Sequence, residues 1–82
     1  MFPPKIKKVL VLPEMRLLVS FNNGINKVYN VEPLINEYPD FCILTNPSVF
    51  NLVKVDSGGC GVSWTEDIDL PENELWLNGI TV

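Results

Sequence analysis

Five carboxylates crowd into nine residues near the end of the chain: Glu66, Asp67, Asp69, Glu72 and Glu74, with Trp76 two positions beyond. Acidic side chains at such density can hold a hard cation, but that needs oxygen ligands converging from a flexible loop. The spacing does not match an EF-hand loop, and no glycine sits where its sharp turn needs one. No metal and no cofactor is expected. Two other roles fit the residue types. Asp69-Leu70-Pro71-Glu72 has the spacing of a capping box, and acids near a helix N-terminus are favoured by its dipole. The same carboxylates could steer a basic partner. Tryptophan is enriched at binding hot spots, so Trp76, at a helix end among polar neighbours, completes the candidate partner interface with Glu66, Asp67, Asp69, Glu72 and Glu74. Trp64 lies in an apolar strand and is expected in the core.

The other reactive residue types are poorly placed for catalysis. The chain has no histidine. Ser57 stands beside Gly58-Gly59 with no base to activate it, and a turn explains all three residues. A cysteine nucleophile needs an activating base or cation, and Cys60, beside glycines, lacks an evident one. Cys42 is the other cysteine. The two are too far apart for a short ligand motif and are expected as reduced, partly buried small hydrophobes. The chain is therefore expected not to be an enzyme. Lys5, Lys7 and Lys8, with Arg16, form a small basic cluster, but a net charge of −4 is wrong for a nucleic-acid footprint. The plainer reading is a solvated strand end whose charges discourage edge pairing.

The elements that must position these residues are strands with sharp turns. Residues 5–12 and 15–21 read as an antiparallel pair joined at Pro13-Glu14. Asn22-Asn23-Gly24 then makes a hairpin into a third strand, residues 25–31. Two registers compete there. A three-residue loop with Gly24 in a bulge sets Phe21 opposite Ile25 and Leu17 opposite Tyr29. This pairs larger apolar groups than a two-residue turn, which would set Val19 opposite Val28. Pro33 opens a short helix in which Leu34, Ile35 and Tyr38 share a face, and Pro39-Asp40 stops it. Asn46 and Pro47 begin a second helical turn. Residues 52–56 and 61–65 read as two more strands, and a last helix over 72–77 ends at Asn78-Gly79. The fold class is α+β: a small single domain spanning residues 1–82, with a mainly antiparallel sheet of about five strands and two or three short helices. Leu17, Val19, Phe21, Val53, Val55, Val62 and Trp64 are the expected core, covered by Leu34, Phe50 and Leu75.

Eighty-two residues bury one modest core and no second. The longest apolar run, Val9-Leu10-Val11-Leu12, is far below the ~20 residues of a membrane span. No export signal is recognised at the start, so the expected location is cytoplasmic. Charge is uneven: through Val31 five cations face Glu14 alone, and beyond it only Lys54 opposes nine carboxylates.

The order of motifs resembles that of the bacterial family called domain of unknown function 2442. The matching pieces are Leu17-Leu18-Val19-Ser20-Phe21-Asn22-Asn23-Gly24, Tyr29-Asn30-Val31-Glu32-Pro33-Leu34, Asn46-Pro47 with Leu44 and Phe50, Val53-Lys54-Val55-Asp56, Val62-Ser63-Trp64, Asp67-Ile68-Asp69-Leu70 and Leu75-Trp76. Asn23 and Asn30 stand where the family often has aspartate; both keep turn-forming ability and remove charge. The resemblance implies a small α+β domain, standing alone or beside a DNA-binding helix-turn-helix, and for some members an antitoxin-like partnership. It carries no activity to any residue here. The expected function is a non-enzymatic protein–protein interaction module taking another small, basic protein as partner. The alternative is an accessory in nucleic-acid regulation acting through Lys5, Lys7, Lys8 and Arg16. Self-association through a strand edge is a third outcome.

Overall fold

The computed structural model describes residues 3–82. Strands β1 (Ile6–Leu12), β2 (Arg16–Phe21) and β3 (Asn26–Asn30) form an antiparallel meander. The alternation in β2 sets its orientation: Leu17, Val19 and Phe21 are at most 1% exposed, while Arg16, Leu18 and Ser20 point to the other face. The β2–β3 hairpin takes the register with the Gly24 bulge. Phe21 donates its N–H to the Ile25 carbonyl at 2.9 Å, and Leu17 lies opposite Tyr29. Gly24 has φ +88, and the Asn23 side-chain oxygen accepts from the Ile25 N–H at 3.1 Å. The β1–β2 turn is less ordinary, because Glu14 and Met15 both take positive φ (64 and 61). Neither residue type announces that conformation. It is held from outside: Met15 offers its carbonyl to the Val31 N–H at 2.9 Å, and Arg16 Nε donates to the Pro13 carbonyl at 3.0 Å.

Prolines start the helical segments. Pro33, Pro39 and Pro47 lie in the first turns of α1 (Glu32–Glu37), of a 3₁₀ helix (Pro39–Thr45) and of α2 (Pro47–Phe50). Asn46 caps α2 by accepting from the Ser48 N–H at 3.0 Å; Asn30 accepts from the Glu32 N–H at 3.1 Å in the turn before α1, whose own N-cap is Val31. The 3₁₀ helix was not foreseen; its contribution is Leu44, which is fully buried.

Strands β4 (Lys54–Val55), β5 (Gly61–Ser63) and β6 (Asp69–Pro71) make a second antiparallel sheet, with Ser57–Gly59 as a tight helical turn between β4 and β5. Helix α3 (Glu72–Asn78) follows, and β7 (Ile80–Thr81) returns to pair with β3, giving the order β1-β2-β3-β7 in the first sheet. The α+β class and antiparallel pairing hold, but the strands divide between two sheets of four and three. The capping box is a misreading. Asp69 pairs with Ser63 as part of β6, the residue before the helix is Pro71 in extended conformation, and no side chain caps it. Strand pairing of Leu70 with Val62 buries Leu70 and outcompetes the local cap.

The core gathers Leu17, Val19, Phe21, Val62, Trp64, Phe50 and Leu75 as expected, and adds Ile6, Tyr29, Val31, Leu44, Ile68 and Leu70. Val53, Val55 and Leu34 are only partly buried against it. Trp64 stacks on Phe50 at 6.0 Å and donates Nε1–H to the Phe50 carbonyl at 3.1 Å. Two of the three glycines with positive φ among the described residues, Gly24 and Gly59, make contrasting tests. A Cβ on Gly24 meets nothing within 4 Å, whereas on Gly59 (φ +72) it would lie 2.5 Å from the Ile6 carbonyl oxygen. Gly24→Ala should cost about 1–2 kcal/mol for the left-handed backbone alone. Gly59→Ala should cost clearly more, since β1 must also move. Urea unfolding of both variants checks the order.

Candidate functional site

The structure splits the acidic cluster. Glu66 and Asp67 sit on the turn between β5 and β6, where Thr65 Oγ1 accepts from the Asp67 and Ile68 N–H groups at 3.2 Å each. With Asp69 they are exposed, and among the described residues their carboxylates accept no hydrogen bond and join no ion pair. Glu72 and Glu74 face inward. Lys5 Nζ donates to Glu72 Oε1 at 2.8 Å, and this hydrogen bond holds the ammonium above the usual lysine range. The other Glu72 oxygen is buried with no partner among the described residues. Tyr29 donates its hydroxyl to Glu74 at 2.7 Å.

Trp76 joins this internal set. Its ring meets Phe21 edge-on at 5.0 Å, and Lys27 Nζ lies 4.0 Å from the ring centre while donating to the Trp76 carbonyl at 2.6 Å. Cation–π and aromatic contacts of this kind contribute about 0.5–2 kcal/mol each. Glu72, Glu74 and Trp76 of α3 thus reach Lys5 just before β1, Phe21 of β2 and Tyr29 and Lys27 of β3, and these contacts fasten the helix to the first sheet. Trp76 is half-buried rather than free. Leu77 beside it is exposed, and both line a groove of about 600 Å³ with Pro3, Pro4 and Ile25. No three His, Cys, Asp or Glu side chains among the described residues are grouped to hold a metal ion.

Cys42 and Cys60 are free and exposed, not partly buried as expected. Cys60 follows the Ser57–Gly59 turn and faces outward beside Lys5, whose Nζ is 3.9 Å from the sulfur. Ser63 gives its hydroxyl to Asp56, which ties β5 to the end of β4. No helix of the described residues is long and apolar enough to cross a membrane.

Sequence reasoning missed the outer face of the four-stranded sheet. Leu10 pairs with Leu18, Leu18 with Val28, and Val28 with Ile80, so one cross-strand row is apolar over all four strands. Leu10 is 44% and Ile80 73% exposed. None of the four packs on the core. The signal was present in the alternation: both β1 and β2 carry apolar residues at odd and even positions alike, which a half-buried strand does not need.

Burial raises the Tyr29 phenol well above the ordinary tyrosine range, and the Glu74 carboxylate adds to the shift because it accepts best from the neutral hydroxyl. A raised folded-state value means stability is complete below the unfolded phenol's pKa of about 10 and falls as pH rises through the folded one. Lys5 acts in the same direction. Tyr29→Phe should lower stability by about 1–3 kcal/mol at neutral pH and flatten the alkaline decline relative to the parent chain. Melting curves from pH 7 to about 11 check this; parallel declines would remove Tyr29 as the titrating group.

A family model for the protein of unknown function DUF2442 matches residues 6–81. No curated protein and no solved structure matches the chain. With nearly its whole length covered by that model, the chain belongs to the DUF2442 family.

Proposed function

We propose that this chain is a non-enzymatic protein–protein interaction module whose contact surface is the outer face of the β1-β2-β3-β7 sheet. The observation that carries this reading is the apolar row Leu10, Leu18, Val28 and Ile80, exposed at its two ends, half-buried at Leu18 and Val28, and packed nowhere on the core. An antiparallel sheet with one solvated face normally alternates apolar-in with polar-out. An apolar row kept in water instead marks a surface that is covered in use. The antitoxin-like role suggested by family resemblance is one form of this reading, with the partner a small protein.

A second surface is supported by the exposed carboxylates of Glu66, Asp67 and Asp69, which are free to steer a basic partner. It is smaller than the expected site, because Glu72, Glu74 and Trp76 are engaged within the fold.

Immobilised chain offered host lysate separates the two. Leu18→Glu places a charge in the middle of the apolar row and should abolish capture while leaving the circular dichroism spectrum unchanged. Neutralising Glu66, Asp67 and Asp69 together should leave most of it. Full capture by a folded Leu18→Glu chain would sink the outer-face reading, and loss with the neutralised turn would move the site there.

A further inference from the structure

The outer face has a charge pattern as well as an apolar row. Outward positions alternate along each strand, so Lys8, Ser20 and Asn26 form the flank on one side of the row, and Leu12, Arg16 and Asn30 the flank on the other. The only charges at these positions are the cations Lys8 and Arg16, in a chain with four more acids than bases. Lys7, at the register shift of β1, is exposed beside Lys8. On the Arg16 side, Glu37 and Glu74 line a recess with Arg16; neither forms an ion pair with it, and Glu74 accepts from the Tyr29 hydroxyl.

Resting on the outer-face reading, we infer that the occupant is an amphipathic α-helix of a partner protein, laid across the strands, with carboxylates flanking its apolar stripe at the end over β1 and β2. The dimensions fit one helix. Three strand spacings of about 4.8 Å make the row ~14 Å long, the length of roughly ten helical residues. The flanking positions lie about 7 Å to either side, within reach of residues beside the stripe on a helix ~10 Å across. Three turns present apolar residues at i, i+3, i+4 and i+7, enough to cover the four side chains. Val28 and Ile80 also line a recess of about 520 Å³ in which Pro33 and Leu34 offer apolar wall and Glu37 and Glu74 carboxylates; a further apolar residue of the helix would seat against the first two.

A second copy of the chain fits less well. Row-on-row packing about a two-fold axis would bring four cations onto a face with no carboxylate at the positions flanking the row. A partner with acidic flanks removes the charge conflict.

The test uses two synthetic helical peptides with the same leucine stripe, one flanked by glutamate and one by lysine. Binding is read from the methyl resonances of Leu10, Leu18, Val28 and Ile80. The glutamate peptide should shift these four saturably and bind about tenfold more tightly than its twin at low salt, with the advantage shrinking as salt rises. Lys8→Glu with Arg16→Glu should reverse the preference. Equal or tighter binding of the lysine peptide at these methyls would overturn the acidic-helix inference while leaving the outer face as contact surface. No shift from either peptide, with sedimentation revealing self-association that Leu18→Glu abolishes, would assign the face to a second copy and overturn the inference alone. No shift, no self-association and unchanged capture by Leu18→Glu would remove both proposals.

Discussion

Strand β2 is the constraint on which the other elements depend. It is the only strand of the first sheet with a neighbour of substantial length on both sides, and its three inward residues are among the most completely buried in the molecule. A slip of one residue would exchange Leu17, Val19 and Phe21 for Arg16, Leu18 and Ser20 on the core face, stranding a guanidinium and a hydroxyl among apolar groups. The hairpin at Asn22-Asn23-Gly24 guards against that slip. Its bulge commits Leu17 to Tyr29, and Tyr29 in turn places the hydroxyl that α3 recognises through Glu74. The second sheet then closes over the same face with Val62, Trp64, Ile68 and Leu70.

That chain of dependence explains why the acidic C-terminal segment is only partly a surface. Once α3 must lie against β3, the side chains of its first turn have nowhere to go but toward Lys5, Tyr29 and Lys27 or out to solvent. Glu72, Glu74 and Trp76 take the first course, each with a partner far away in sequence. Gly79 lets the chain leave the helix tightly: a Cβ there would sit 2.5 Å from the Leu75 carbonyl oxygen and 3.0 Å from the Lys27 side chain. The helix is thereby brought close enough to β3 for β7 to join the sheet immediately after it.

Local chemistry made the meander, its hairpin and the proline-started helical turns legible in the sequence, because each is decided by residues within a few positions of one another. Asn23, Asn30 and Asn46 bond backbone N–H groups two residues on, so their role is nearly independent of the tertiary fold. What could not be read was settled over long range. Asp69 carries both a capping signal and membership of an alternating Ile68-Asp69-Leu70 strand, and only the presence of β5 decides between them. The Glu14-Met15 turn has no residue that favours positive φ, and its geometry answers to Val31. β7 is two residues long, too short for any pattern, and exists because α3 ends beside β3.

The outer row belongs to the same long-range class, and this bears on why it should be functional. Leu18 is not required by the hairpin, since the register is already set by its inward neighbours. A threonine there would satisfy β propensity and remove an apolar side chain from water. Leu10, Val28 and Ile80 are in the same position. They meet only when β7 has joined β3 and β1 has joined β2, so the row is assembled by the complete fold and by no fragment of it. Four residues from four strands, each unneeded for its own strand, forming one continuous stripe with cations on its flanks and none within it, have the composition expected of a contact core with a charged rim. Folding supplies the surface as a consequence of the β2 register, and its width, its apolarity and its charge follow from the residues that register turns outward.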